Sequence, residues 1–314
     1  MIEVSGLTKL YGDFVAIQDI NFEVKDGEIV GFLGPNGAGK TTTMKILTCF
    51  MPATEGTARV DGFDIFDDAM EVKRRVGYLP ETPPVYPELT VESYLTYVAE
   101  IKEVPWRERA KRVRDVMRST RIDHVAGRLI GHLSRGYQQR VGIAQALVHN
   151  PKVLILDEPT VGLDPNQIRE VRELIKELGR ERTIILSTHI LPEVSVTCER
   201  IIIVNQGRIV ANGTEEEISL SLGGRGTYHV AVKAPRTELE ALLPKIAGVQ
   251  SIQYMHTLND VHSFEVRCTE GKEMRDELFS ALSEKRWPLY ELKPPGVSLE
   301  EVFARLTSSD MEVA

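Results

Sequence analysis

Cysteine is scarce in this 314-residue chain, where Cys49, Cys198 and Cys268 are the only three. Odd in number, far apart and without ligand spacing, they exclude a disulfide framework and a cysteine metal site. They read as small apolar thiols of a reducing compartment. Positive charge is in deficit too. Lys and Arg total 38 against 46 Asp and Glu, so the formal net charge is −8 and the sequence pI about 5.5, the wrong balance for a nucleic-acid binder. Long apolar runs are missing: stretches such as 153–156 and 201–204 are far too short to span a bilayer. The first residues hold neither a basic n-region nor an apolar h-region, so no signal peptide is expected. Any membrane role must come through a partner.

What is present begins with residues 34–42, GPNGAGKTT, which satisfy G-x-x-x-x-G-K-[ST] with Gly34, Gly39, Lys40 and Thr41 in the fixed positions. An apolar run at 29–33 reads as a buried strand before the loop, and 44–50 reads as a helix after it. That is the context the motif requires. The glycines let backbone N–H groups turn inward around phosphates, Lys40 reaches the β/γ-phosphates, and the Thr41 hydroxyl ligates Mg²⁺. A nucleoside triphosphate site follows.

Residues 2–7 and 14–24 alternate apolar and polar side chains, as half-buried antiparallel strands do. Tyr11 between them reads equally as a core aromatic or as a ring that stacks on an adenine base. Residues 80–87 hold four prolines, forming either a stiff loop or an extended contact segment. The helical stretch 105–120 is strongly basic, with Arg107, Arg109, Lys111, Arg112, Arg114 and Arg118. Glu108 and Asp115 interleave, so a solvated face competes with a patch facing lipid headgroups or a membrane partner. At 133–140, LSRGYQQR, Ser134 is a good N-cap and Gly136 leaves amides accessible at a helix start, a second anion-binding terminus.

The buried strand 153–156 runs into Asp157 and Glu158. Side chains alternate at a strand end, so the two carboxylates face different ways, one toward Mg²⁺ and one toward a water. A further buried strand, 183–187, ends in Thr188 and His189, at the sheet edge where α/β proteins bind ligands. After a hairpin around 205–207 and a short helix at 214–222, Gly223, Gly224 and Gly226 break the chain. The boundary is placed there, giving domains 1–222 and 223–314. The second part reads β-α-β-β-α-β, the split βαβ of a ferredoxin-like α+β domain, with a last helix at 299–306. Nothing in it suggests chemistry.

Together these stretches resemble the ATP-binding subunit of an ABC transporter over residues 1 to about 220. Leu133-Ser134-Arg135-Gly136 upstream of 153–159, with Leu163, Asp164 and His189 behind, separates this superfamily from the kinases and GTPases that a phosphate loop alone admits. The resemblance implies an α/β P-loop NTPase cassette with a mixed sheet core, an antiparallel β subdomain and a helical subdomain. It implies an ATPase using ATP and Mg²⁺, working as a head-to-tail homodimer on a membrane permease, at the cytoplasmic face of the membrane. Tyr11 then stacks on adenine, and Asn36, Gly37, Ala38, Gly39, Lys40, Thr41 and Thr42 surround the phosphates. Ser134 and Gly136 approach the nucleotide of the other copy, and Asp164 links the two sites. Glu158 polarises the attacking water, His189 contacts the γ-phosphate, and Asp157 holds the metal with Thr41.

Two departures narrow the branch. Glu81 replaces the usual glutamine, and as an ionised acceptor it leans on the metal more heavily. Tyr137 replaces the signature's last glutamine. Both variants resemble the gliding-motility, drug-efflux and copper-enzyme-maturation group, whose members pair with separately encoded ABC-2-type permeases and often carry C-terminal extensions. The rival class, soluble ABC ATPases acting on ribosomes or DNA, usually shows two cassettes or a long coiled-coil insertion. Neither is present here.

Overall fold

The computed structural model describes residues 1–222, 227–269, 274–293 and 299–308. They form two compact units, Met1–Thr214 and Glu215–Ala314. The Gly-rich break at 223–226, where the boundary is expected, lies outside the described residues. The short helix ahead of it belongs to the second unit.

The first unit is built on two sheets. Its strands are β1 (Ile2–Tyr11), β2 (Phe14–Val24), β3 (Ile29–Leu33), β4 (Glu55–Val60), β5 (Phe63–Asp64), β6 (Val76–Leu79), β7 (Val153–Asp157), β8 (Thr183–Thr188), β9 (Arg200–Asn205) and β10 (Arg208–Gly213). The order β2-β1-β4-β5 makes an antiparallel sheet, and β10-β9-β3-β8-β7-β6 makes a mixed one. In the mixed sheet β9, β3, β8, β7 and β6 are parallel, and only β10 runs against them. Their C-terminal ends therefore share one edge.

Alternation along these strands supplies two cores, which is why the strands are buried on both faces. Phe32, Ile155, Ile185 and Ile202 face a cluster shared with the antiparallel sheet and with helix α1 (Lys40–Leu47). Leu154, Leu156, Ile184 and Leu186 face the opposite cluster. That one is filled from the helices that follow α2 (Ala69–Arg75), namely α3 (Val91–Ile101), α4 (Trp106–Ser119), α5 (Arg135–Leu147) and α6 (Pro165–Gly179).

The helix ends show the local rules at work. The Asp164 carboxylate accepts from the Asn166 and Gln167 N–H groups at 3.0 Å each, and Pro165 fills the first turn. In α6, Val171, Leu174, Ile175 and Leu178 then recur at helical spacing on the buried face. Helix α1 begins at Lys40, four residues before the apolar pattern suggests, because Gly39 at φ 100 turns the chain directly into it.

In the second unit, α8 (Glu215–Leu222) precedes β11 (Thr227–Val232), α9 (Arg236–Leu242), β12 (Val249–Leu258), β13 (Val261–Cys268), α10 (Arg275–Glu284), β14 (Leu289–Lys293) and α11 (Leu299–Ser308). The sheet is antiparallel in the order β12-β13-β11-β14, which is the ferredoxin-like arrangement. Tyr228, Val230, Val232, Phe264 and Val266 meet Leu239, Leu278 and Leu282 in one apolar core.

Candidate active site

The parallel strand ends deliver the site. The phosphate loop follows β3, Glu81 follows β6, Asp157 and Glu158 close β7, and His189 follows β8. A cleft of about 580 Å³ opens over this edge, lined by Tyr11, Asn36 to Thr42, Glu81, Glu158 and His189. Phe14 and Val161 also line it and were not singled out from sequence. Tyr11 is no core aromatic. Its ring is 47% exposed in the cleft wall, and its hydroxyl donates to the Met51 sulfur at 3.1 Å.

The loop's shape answers the expected chemistry. Gly37 and Gly39 lie at φ 82 and 100, in the left-handed region. A Cβ on Gly39 would also stand 2.7 Å from the Ala16 carbonyl oxygen. Helix α1 has no side-chain cap, so its first-turn amides are open to an anion. The buried Lys40 ammonium donates to the Gly34 and Pro35 carbonyls at 2.7 and 3.2 Å and stands 3.4 Å from Glu158 Oε1. On the other side of that carboxylate, His189 Nδ1 lies 3.0 and 2.9 Å from its two oxygens. Glu158 is held at φ 50, an unusual conformation for a residue with a Cβ, and its N–H is fixed by the Ser187 carbonyl at 2.9 Å.

Asp157 is fully buried, and neither carboxylate oxygen closes a hydrogen bond of good geometry, although the Ser187 and Thr41 hydroxyls lie near enough to act on it. Burial raises its pKa from the ordinary carboxylate value, the Ser187 and Thr41 hydroxyls oppose that shift, and the Glu158 and Glu81 charges add to it. An unpaired buried carboxylate is costly, and a hard cation beside it removes the cost. Among the described residues no three His, Cys, Asp or Glu side chains form a metal cluster by themselves. The donors present suit Mg²⁺ shared with phosphate oxygens, the usual manner of that ion. Glu81 stands at the exposed rim of the cleft.

Ser134, Gly136 and Asp164 are not among the cleft's lining residues. Ser134 occupies the cap position of α5, yet its hydroxyl makes no capping bond. Gly136 is buried, and a Cβ there would meet the Gln167 side chain at 2.7 Å. The Arg135 guanidinium lies against Gly162, where a Cβ would fall 2.5 Å from Nη1. The start of α5 and the turn into α6 thus form one continuous surface. Glu193, on α7 (Leu191–Thr197), is the main residue the sequence did not disclose. It is 1% exposed, and its carboxylate accepts from the hydroxyls of Thr160 and, at 2.9 Å, Thr188. It ties together the segments that carry Glu158 and His189. The one faint signal is its spacing, a helical turn after His189.

Comparison with known proteins agrees with this geometry. The family described as ABC transporter matches residues 17–161. The chain is 39% identical over 212 residues to the bacitracin transport ATP-binding protein BcrA of Bacillus licheniformis, covering 67% of this chain and 68% of that one. It is 29% identical to the linearmycin resistance ATP-binding protein LnrL of Bacillus subtilis (strain 168), over 98% of both chains. Among solved structures, the dimeric ATP-binding cassette MJ0796 in a post-hydrolysis state with ADP and Pi aligns with TM-score 0.63 and 29% identity. That alignment covers 68% of this chain and 98% of the other.

Proposed function

Because the chain belongs to the ABC transporter family, as an ATP-binding ATPase subunit, we propose that two copies close head to tail on ATP. The cycle of closure and hydrolysis drives a separately encoded ABC-2-type permease at the inner face of the membrane. The observation that carries this reading is the convergence of Lys40, Glu158 and His189 on one cleft at the edge of the parallel strands.

Each side chain has a role its surroundings support. Tyr11 offers its exposed ring to adenine, and the amides of residues 36–42 take the phosphates. Lys40 exchanges its carbonyl contacts for phosphate oxygens, which releases Glu158 to polarise the attacking water, with His189 orienting it from the other side. Mg²⁺ would be held by Thr41 and Asp157, with Glu81 at the rim, and would neutralise phosphate charge. Ser134, Gly136 and Asp164, standing outside the cleft of their own chain, serve the second copy's nucleotide. Among the described residues no helix is long and apolar enough to cross a membrane, so the permease supplies the transport path. Its contact is the segment after Glu81. The Tyr94 hydroxyl donates to the Pro84 carbonyl at 2.8 Å, and Tyr86 packs its ring on Tyr94 and Tyr97 at 5.9 and 5.8 Å. Glu81 is thereby joined to an exposed aromatic surface.

Glu158→Gln tests the reading. ATP binding is retained, turnover falls by about 10²–10⁴, and gel filtration with Mg-ATP shows a stable dimer. A variant that turns over at near-native rate, or stays monomeric with ATP, overturns the assignment. Co-purification of the wild-type chain with a polytopic membrane protein tests the permease.

A further inference from the structure

We propose that helix α4 carries a binding surface for anionic phospholipid headgroups. Arg107, Lys111, Arg114 and Arg118 make the electrostatic contact, and Trp106 is the interfacial anchor. The idea rests on the permease reading only in that a membrane partner brings this face to a bilayer.

The four cations recur at intervals of four, three and four residues, which places them within about 60° of the helix circumference along a stripe roughly 17 Å long. All four are exposed. Among the described residues, none of their side chains has an ion pair or hydrogen bond. Some other cations of the same unit are engaged instead. Arg109, on the inner side of the same helix, donates to the Val104 carbonyl at 2.8 Å and lies 3.3 Å from Glu100. Arg74, Arg75, Arg121 and Arg200 are likewise engaged by carboxylates. The helix's own acids, Glu108 and Asp115, lie along one flank of the stripe rather than within it, and Glu177 and Glu181 stand across a groove on the far side.

Like charges at these spacings destabilise a helix, and Glu108 and Asp115, three or four residues from Lys111 and Arg118, close no ion pair with them. The stripe is a bare positive patch on a chain whose formal net charge is −8. At its N-terminal end Trp106 is 74% exposed, with the Arg107 guanidinium 5.2 Å from its ring centroid. Ile101, ending the preceding helix, is 59% exposed. A basic helix face headed by an indole and an aliphatic side chain is the composition that binds at a headgroup interface.

The test is co-sedimentation of the full chain with vesicles of phosphatidylglycerol and phosphatidylcholine, and with phosphatidylcholine alone, without permease. The expected result is binding to the anionic vesicles only, abolished at an ionic strength of about 1 M, where the Debye length is roughly 3 Å. Substituting Gln for Arg107, Lys111, Arg114 and Arg118 together should weaken partitioning more than a hundredfold, at about fivefold per charge. Basal ATP turnover stays at the wild-type level. In a Trp287→Phe background Trp106 is the sole indole, and its emission should shift to the blue on vesicle binding. Equal binding to neutral vesicles, no binding, or full binding by the four-Gln variant overturns the proposal. So does a variant that keeps its lipid partitioning but loses stimulation by the permease, which would assign the stripe to a protein contact. Any of these with ATP turnover intact leaves the ATPase reading standing.

Discussion

The two units differ in what they bury. Among the described residues, every buried Lys, Asp and Glu lies in the first unit, and Lys40, Asp157, Glu158 and Glu193 all lie at or next to the C-terminal edge of its parallel strands. The core of the second unit is apolar, and its buried Tyr228 hydroxyl is satisfied by the Met274 N–H at 3.0 Å. Burying ionisable groups costs stability, and a fold carries that cost where a ligand or a reaction offsets it. The first unit is therefore organised around its nucleotide. Among its described residues the second buries no Lys, Asp or Glu.

The sharpest way to break this contrast is at the buried groups. Lys40→Ala should lower ATP affinity and turnover by about 10²–10³, read by equilibrium binding and steady-state hydrolysis. It should also reduce thermal stability, because Glu158 loses its cation. Glu193→Ala should cut kcat by about tenfold and leave the Thr160 hydroxyl unpaired, with Thr188 keeping only its bond from the Ile190 N–H, a loss of about 1–3 kcal/mol. Glu193→Gln, able to accept from one threonine and donate to the other, should restore most of kcat. If Glu193→Ala loses stability but keeps its kcat, the residue only supports packing.

His149 adds a pH effect. Burial, with the Lys102 charge adding to it, pushes this imidazole down to about 4 from 6.5, against the Val76 carbonyl that accepts from it at 3.0 Å. The unfolded chain then takes up the proton first as pH falls. Stability is complete above about pH 6.5 and declines toward pH 4, by on the order of 2–3 kcal/mol. Denaturant melts of wild type and His149→Gln across that window should converge at the acid end. Parallel losses in both would assign the effect to other groups.

Smaller effects sharpen the comparison. Glu81→Ala should shift the Mg²⁺ midpoint of hydrolysis and weaken stimulation by the permease, with ATP affinity changed only a few fold. Identical midpoints and stimulation would make Glu81 a solvated rim acid. A 1–222 fragment should bind ATP as the full chain does and dimerise more weakly. Loss of binding from a folded fragment would mean that the second unit completes the site.

Much of this was legible in the residues alone. The phosphate loop, the paired acids and His189 each sit where an apolar run meets a turn, and runs and turns are local properties of a chain. The parallel strands read as unbroken apolar stretches because both of their faces are covered. The β-α-β-β-α-β pattern implies a hairpin between β12 and β13 without locating its turn, which falls at Asn259 and Asp260. Both residues adopt positive φ, at 49 and 62, and β12 carries little alternation because most of its side chains are exposed.

What the sequence determined by itself is the inventory: a nucleotide loop, a set of carboxylates, and two units of different pattern. Tertiary structure decided who meets whom. Glu193, some thirty-five residues beyond Glu158, reaches Thr160 and Thr188 only because β7 and β8 are neighbours in the sheet. Gly136 is shaped by Gln167 and Gly162 by Arg135 only because α5 packs on the start of α6. Local pattern reports which face of an element is apolar. Which elements share that face depends on the chain's path through space, and so the partners of buried polar groups emerge only when the sheet is assembled.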